Sequence, residues 1–208
     1  DPVTGEPIPN ATIIVTLPDG TNITANTDDD GKVSIPVDLP VGDNNVTITY
    51  PGNQTYKPSS TTIPVDVKKI EVEIKAENKT TKVGNDVTIS ITLKDKNSDK
   101  LPTQGKVVIT DKDGKTITLD VTKDNLEFTH NAVLNGEFDY TISYIDDANK
   151  YESNSTMSKV TVNKLKTTVT SENKTVLFGE NVVIPIVVKD ENGNVPTTGN
   201  IEVIRDNK

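Results

Sequence analysis

The chain repeats itself, and no other feature of the sequence constrains its fold as much. YPGNQTYKPSS, beginning at Tyr50, is echoed by YIDDANKYESNS from Tyr144, and in both a second tyrosine follows, at Tyr56 and Tyr151. NKTTKVGNDVTISITLKD, from Asn78 to Asp95, lies without a gap over NKTVLFGENVVIPIVVKD, from Asn173 to Asp190. Three more stretches, IPNATIIVT from Ile8, LPTQGKVVIT from Leu101 and VPTTGNIEVI from Val195, join all the copies. The period is about 95 residues, so one structural unit recurs along the chain and each copy needs a core of its own.

The periodicity inside the unit is that of strands. In DVTISITLKD, Val87, Ile89, Ile91 and Leu93 alternate with Thr88, Ser90, Thr92 and Lys94, which gives one apolar face and one wet face. The middle copy reads as seven such strands: IEVEIKA, DVTISITLKD, KVVITD, KTITLD, LEFTH, EFDYTISYI and SKVTVNK. Seven strands in about 95 residues suit a two-sheet sandwich. Composition agrees: hydrophobic residues are 32%, aromatics 4%, and Trp is absent, so the core must come from Val, Ile and Leu, whose branching favours pleated surfaces. The expected fold is all-β, a tandem array of immunoglobulin-like antiparallel β-sandwiches.

Register divides the chain of 208 residues into a partial copy over 1–67, a complete copy over 68–164 and a partial copy over 165–208. Asp1 aligns with Asp95 and Asp190, so the first copy is expected to lack two N-terminal strands and hold five. The third is expected to hold its first three. An exposed inner face is a hazard that folded proteins avoid. Either these residues belong to a longer array, or the partial copy of one chain completes that of the next. The junctions VDVKKIEVEI and VTVNKLKTTV contain neither Gly nor Pro, which predicts limited bending and a semi-rigid rod.

The first copy, TDDDGKVSIPVDLPVGDNNVTITYPGNQTYKPSS from Thr27 to Ser60, resembles the bacterial-type immunoglobulin-like repeats of adhesin-like surface proteins from methanogenic archaea. The resemblance rests on Gly31, Leu39, Gly42, Tyr50, Gly52, Tyr56 and Ser59. The middle copy departs from it with YIDDANKY and belongs by register. The resemblance implies an extracellular, cell-surface stalk with no catalytic residues to transfer.

Seven Asn-x-Ser/Thr acceptors, at Asn10, Asn22, Asn45, Asn53, Asn78, Asn154 and Asn173, suit a glycosylated surface, although a chain rich in Asn and Thr also produces them by chance. Tyr50 and Tyr144 continue apolar alternations, and with Tyr56 and Tyr151 they read as packing residues of the repeat. Acidic turns recur at Asp28, Asp95, Asp111, Asp146 and Asp190. DKNSD places Asp95, Asn97 and Asp99 as an EF-hand loop begins, but its sixth position is Lys100 and its twelfth Lys106. Turn chemistry is therefore the expectation, with calcium as the alternative.

His130 is the only histidine and there is no cysteine, so no zinc site is expected. No G-x-S-x-G elbow occurs, and no catalytic residue or cofactor is expected. A net charge of -9 argues against nucleic acid as a partner. No apolar run is long enough to insert in a membrane, and no signal peptide opens the chain. A Thr–Gln cross-link would have to use Gln54 or Gln104. The functional expectation is a stalk or adhesin-like region supporting attachment at the cell surface, its partners being neighbouring repeats in the same chain or in adjacent subunits. Two alternatives stand beside it: a filament subunit assembled by strand exchange, and a module that itself binds carbohydrate or protein.

Overall fold

In the computed structural model residues 1, 3–121 and 126–205 are described. All regular structure among them is β, in fourteen strands. Contacts divide the chain into two compact units, Asp1–Glu73 with Leu93–Lys106 and Tyr144–Asn154, and Ile74–Thr92 with Val107–Ser143 and Ser155–Lys208.

The first copy forms one antiparallel sheet from β1 (Thr12–Thr16), β2 (Asn22–Asn26), β3 (Gly42–Tyr50) and β4 (Ser59–Val67), in the order β2-β1-β3-β4. The β1–β2 turn is built on Asp19 and Gly20: the Asp19 carboxylate accepts the Thr21 amide, and Gly20, at φ +85°, returns its amide to Leu17. Four strands form where five were expected. Residues 33–37 keep their alternation, with Val33, Ile35 and Val37 half-buried, but they form no ladder. Pro36 offers no N–H to a neighbour.

The middle copy is a two-sheet sandwich. One sheet has the order β10-β7-β5 and the other β6-β12-β11-β8-β9, from β5 (Val72–Ala76), β6 (Lys79–Lys82), β7 (Val87–Asp95), β8 (Lys106–Asp111), β9 (Thr116–Asp120), β10 (Glu127–His130), β11 (Gly136–Ile145) and β12 (Asn154–Asn163). The eighth strand, β6, was not expected. KTTK carries no apolar alternation and becomes a strand by pairing in parallel with the distant β12, Lys79 opposite Val160 and Lys82 opposite Asn163. Ile89, Val107, Ile109, Ile142 and Val160 are completely buried, each contributing roughly 1.5–3 kcal/mol by leaving water.

The third copy contributes β13 (Thr167–Ser171) and β14 (Ile186–Asp190), paired antiparallel from Thr167 opposite Asp190 to Ser171 opposite Ile186. Its third expected strand, from Val195, is not a strand among the described residues. In the middle copy the equivalent β8 lies beside β11, and among the described residues of the third copy no equivalent of β11 is present to pair with Val195–Ile204.

Candidate functional site

The paired tyrosines are brought together by the loop that separates them. Tyr144 is the last residue but one of β11, Tyr151 follows the loop, and both are completely buried, edge to face with centroids 6.2 Å apart. Tyr144 donates its hydroxyl to the Gln104 carbonyl at 2.7 Å. The Tyr151 hydroxyl lies 3.3 Å from the Thr103 hydroxyl and accepts the Thr103 amide at 3.2 Å. Burial raises the Tyr144 pKa far above the usual phenol range, so the ring stays a neutral packing group.

Asp146 organises this loop. One carboxylate oxygen accepts the Ala148 amide at 3.0 Å, the other accepts the Lys150 and Tyr151 amides at 2.8 Å, and Gln104 Nε2 reaches both at 2.9 Å. Burial pushes its pKa upward, yet the amides and Gln104 outweigh that push and hold the carboxyl below its ordinary 3.8, as expected for a carboxylate accepting several N–H bonds. The first copy reaches the same end with different residues. Asn53 Oδ1 accepts the amides of Thr55 and Tyr56 at 2.7 and 2.8 Å, while Tyr50 and Tyr56 are half-buried. The Tyr50 hydroxyl is buried with no hydrogen-bond partner among the described residues.

The other acidic turns use their carboxylates in the same way. Asp28 accepts the amides of Asp30 and Lys32. Asp111 accepts those of Asp113 and Lys115, and Asp190 those of Asn192 and Asn194. Asp95 accepts Asn97 and Ser98 at 2.7 and 3.2 Å, and Asp99 takes φ +56°. Asp95, Asn97 and Asp99 thus form a side-chain-capped turn, with Asp95 buried. Among the described residues no group of three or more His, Cys, Asp or Glu side chains is arranged to hold a metal ion.

All seven glycosylation acceptors are exposed, but their side chains are differently engaged. Asn10 Oδ1 accepts from Asn26, Asn22 Oδ1 from Thr16, and Asn78 Oδ1 from the Lys159 amide, bonds that leave the attachment nitrogen out. At Asn154 it is Nδ2 itself that donates, to the Val72 carbonyl at 2.8 Å. Asn45 lies within β3, and Asn173 follows β13.

His130 gained no role from spacing, and the structure buries it among rings. Its Nδ1 lies 2.6 Å from the Tyr140 hydroxyl, its ring stands 4.4 Å from Phe138, and Phe128 meets Tyr140 edge-on at 4.8 Å. Nε2 is buried with no hydrogen-bond partner among the described residues. Burial lowers the His130 pKa below 6.5 against the opposing charge of Asp86. The unfolded chain therefore binds this proton more readily, and stability present above pH 6.5 falls as pH drops through that value toward the folded pKa. Urea midpoints are expected to decline between pH 7 and 5, and His130→Phe is expected to flatten that slope.

The two facing sheets make the middle copy an all-β, immunoglobulin-like sandwich, and the partial copies on either side share its register. A family model for the carboxypeptidase regulatory-like domain matches residues 1–77. No curated protein matches the chain. Among solved structures, it is similar to the fibronectin(III)-like modules of Clostridium thermocellum CbhA, with 15% identity over 77% of this chain and 81% of that one and a TM-score of 0.35. A two-domain fibronectin type III segment of chicken tenascin shows 14% identity over 74% and 85%, TM-score 0.38. Domains 1–6 of the surface-layer protein SbsC show 19% over 92% and 24%, TM-score 0.36.

Proposed function

We propose that this chain is a spacer region of an extracellular surface protein, in which the repeats supply length and hold other parts of the molecule away from the cell. The observation that carries this reading is how the connections between copies are built. Four residues separate β4 from β5, and two of them are already tied into the middle copy: Ile70 donates to the Lys150 carbonyl and accepts the Glu152 amide, and the Glu71 carbonyl accepts the Lys96 amide. Three residues separate β12 from β13, and there Lys82 pairs with Glu191 at 2.6 Å while Glu191 and Lys166 bond through their backbones. Short, hydrogen-bonded connectors suit a part that transmits position. A sandwich built on strands of about ten residues adds roughly 35 Å per copy.

The adhesive alternative has less support. All five tyrosines are buried or half-buried, which leaves them poorly placed to stack on a sugar. The open acceptors, among them Asn53 and Asn173, carry glycan in this reading, and Asn154 does not. Protease shaving of intact cells that make this protein is expected to release peptides of the chain, several acceptor peptides carrying sugar and the Asn154 peptide bare. Recovery of its peptides only after lysis would overturn the proposal.

A further inference from the structure

A backbone amide nitrogen attacks the side chain before it most readily when that nitrogen belongs to glycine, which puts no Cβ in the way. Five pairs of the right kind occur: Asp19–Gly20, Asp30–Gly31, Asp113–Gly114, Asn135–Gly136 and Asn192–Gly193. In four of them the fold holds the attacking nitrogen. The Gly20 amide donates to the Leu17 carbonyl, Gly31 to Asp28, Gly114 to Asp111 and Gly193 to Asp190, at 2.9 to 3.1 Å. The same turns are pinned again by side chains, as where the Asp190 carboxylate accepts the amides of Asn192 and Asn194. A nitrogen whose proton is held at a carbonyl, in a turn fixed from both sides, cannot swing onto the neighbouring Cγ.

Asn135–Gly136 is built differently. Ala132 is the last anchored residue before it, donating its amide to Asp86 and accepting the Gly84 amide. Beyond Ala132 the chain runs in the open: Val133 is 73% exposed, Leu134 is 70% exposed, and Asn135 is exposed as well. Gly136 is the first residue of β11, and among the described residues no turn of the kind above closes on it. Exposed loops and the ends of strands open at little cost. The Asn–Ser pairs, which have the next smallest follower, are also restrained. The Ser98 amide donates to Asp95 at 3.2 Å, and Asn154 Nδ2 donates to the Val72 carbonyl at 2.8 Å.

We infer that Asn135 is a site of spontaneous deamidation in the folded protein and that Asn192 is protected by its turn. The Gly136 nitrogen gives its proton to solvent and bonds to Asn135 Cγ. The bond from Cγ to Nδ2 breaks, ammonia leaves, and a five-membered succinimide remains. Water then opens the ring at one carbonyl or the other, giving aspartate or isoaspartate. Water is the sole co-reactant, and nothing is oxidised or reduced. The product puts a new carboxylate two residues before Glu137, which pairs with Lys159, and isoaspartate lengthens the backbone at the entry to β11.

The test uses the complete 208-residue chain, kept folded in warm, mildly alkaline buffer and sampled by peptide mass mapping and by labelling with an isoaspartate-specific methyltransferase. The peptide holding Asn135 is expected to gain the mass difference between OH and NH₂ and to take the label, well ahead of the peptide holding Asn192. In urea, where the turn is gone, the two are expected to react at comparable rates. Asn135→Gln is expected to leave its own peptide unchanged and the Asn192 rate unaltered. Asn192 keeping pace with Asn135 in the folded chain overturns the inference. So does an Asn135 peptide that reacts only in urea, or a lead of Asn135 that is as large in urea as in the folded chain.

Discussion

Gly105→Ala is expected to destabilise the middle sandwich by about 3–5 kcal/mol, at the large end of single-substitution effects. Gly105 sits at φ +100°, and a Cβ there would lie 2.7 Å from both Cε2 and the hydroxyl of Tyr144 and 2.8 Å from the Ile145 carbonyl. Neither neighbour can yield cheaply. The Tyr144 ring is completely buried, and its hydroxyl is held by the Gln104 carbonyl, so displacing it breaks a buried hydrogen bond and disturbs its packing on Tyr151. Gly114→Ala is the control, because Gly114 has a similar φ of +81° and a Cβ added there would meet nothing within 4 Å; only the backbone cost of about 1–2 kcal/mol should appear. Urea unfolding followed by circular dichroism measures both. Equal losses would show that the close approach of Tyr144 contributes nothing.

Asp146→Ala is expected to cost about 2–4 kcal/mol, because three backbone amides and the Gln104 side chain lose their acceptor in a half-closed loop and unpaired buried donors are expensive. Asp146→Asn should fall between parent and alanine, since one oxygen remains while the new NH₂ faces donors. The pH dependence gives a separate reading. The folded carboxyl titrates below its ordinary 3.8, so its contribution is present above that pH and is lost as pH falls through the folded value. The acid limb of the stability curve should therefore be shallower in Asp146→Ala. An unchanged limb would mean that the carboxylate is not the acceptor described.

The two substitutions also show where sequence reasoning reached and where it stopped. The tyrosines were legible because the repeat aligned them, and their alternation with Ile142 marked an apolar face. Asp146 was visible only as one of several acidic turns. Nothing local distinguishes a carboxylate that collects four donors from one that caps a solvent-exposed hairpin, since the difference lies in Gln104, which is far away in sequence. Gly105 lies in the aligned stretch LPTQGKVVIT, and nothing in that stretch shows its contact with Tyr144. His130 looked inert because metal and catalytic chemistry need partners of particular types, whereas its surroundings here are Phe138 and Tyr140, which are apolar or nearly so.

By itself the sequence determined the all-β class, the period and the strands whose faces alternate, because side-chain alternation is a local consequence of the pleat and repeats wherever the residues repeat. It also determined the turns, because an aspartate two residues before an amide can accept from it with no help from elsewhere. Tertiary structure alone decided which extended segments became strands. KTTK acquired a ladder in the middle copy, while Lys174 to Leu177 and the apolar run from Val195 did not, although their patterns are as good or better. A strand's hydrogen bonds are made to another strand, so its formation depends on whether the matching edge is present, and a residue's own neighbours in the chain carry no record of that.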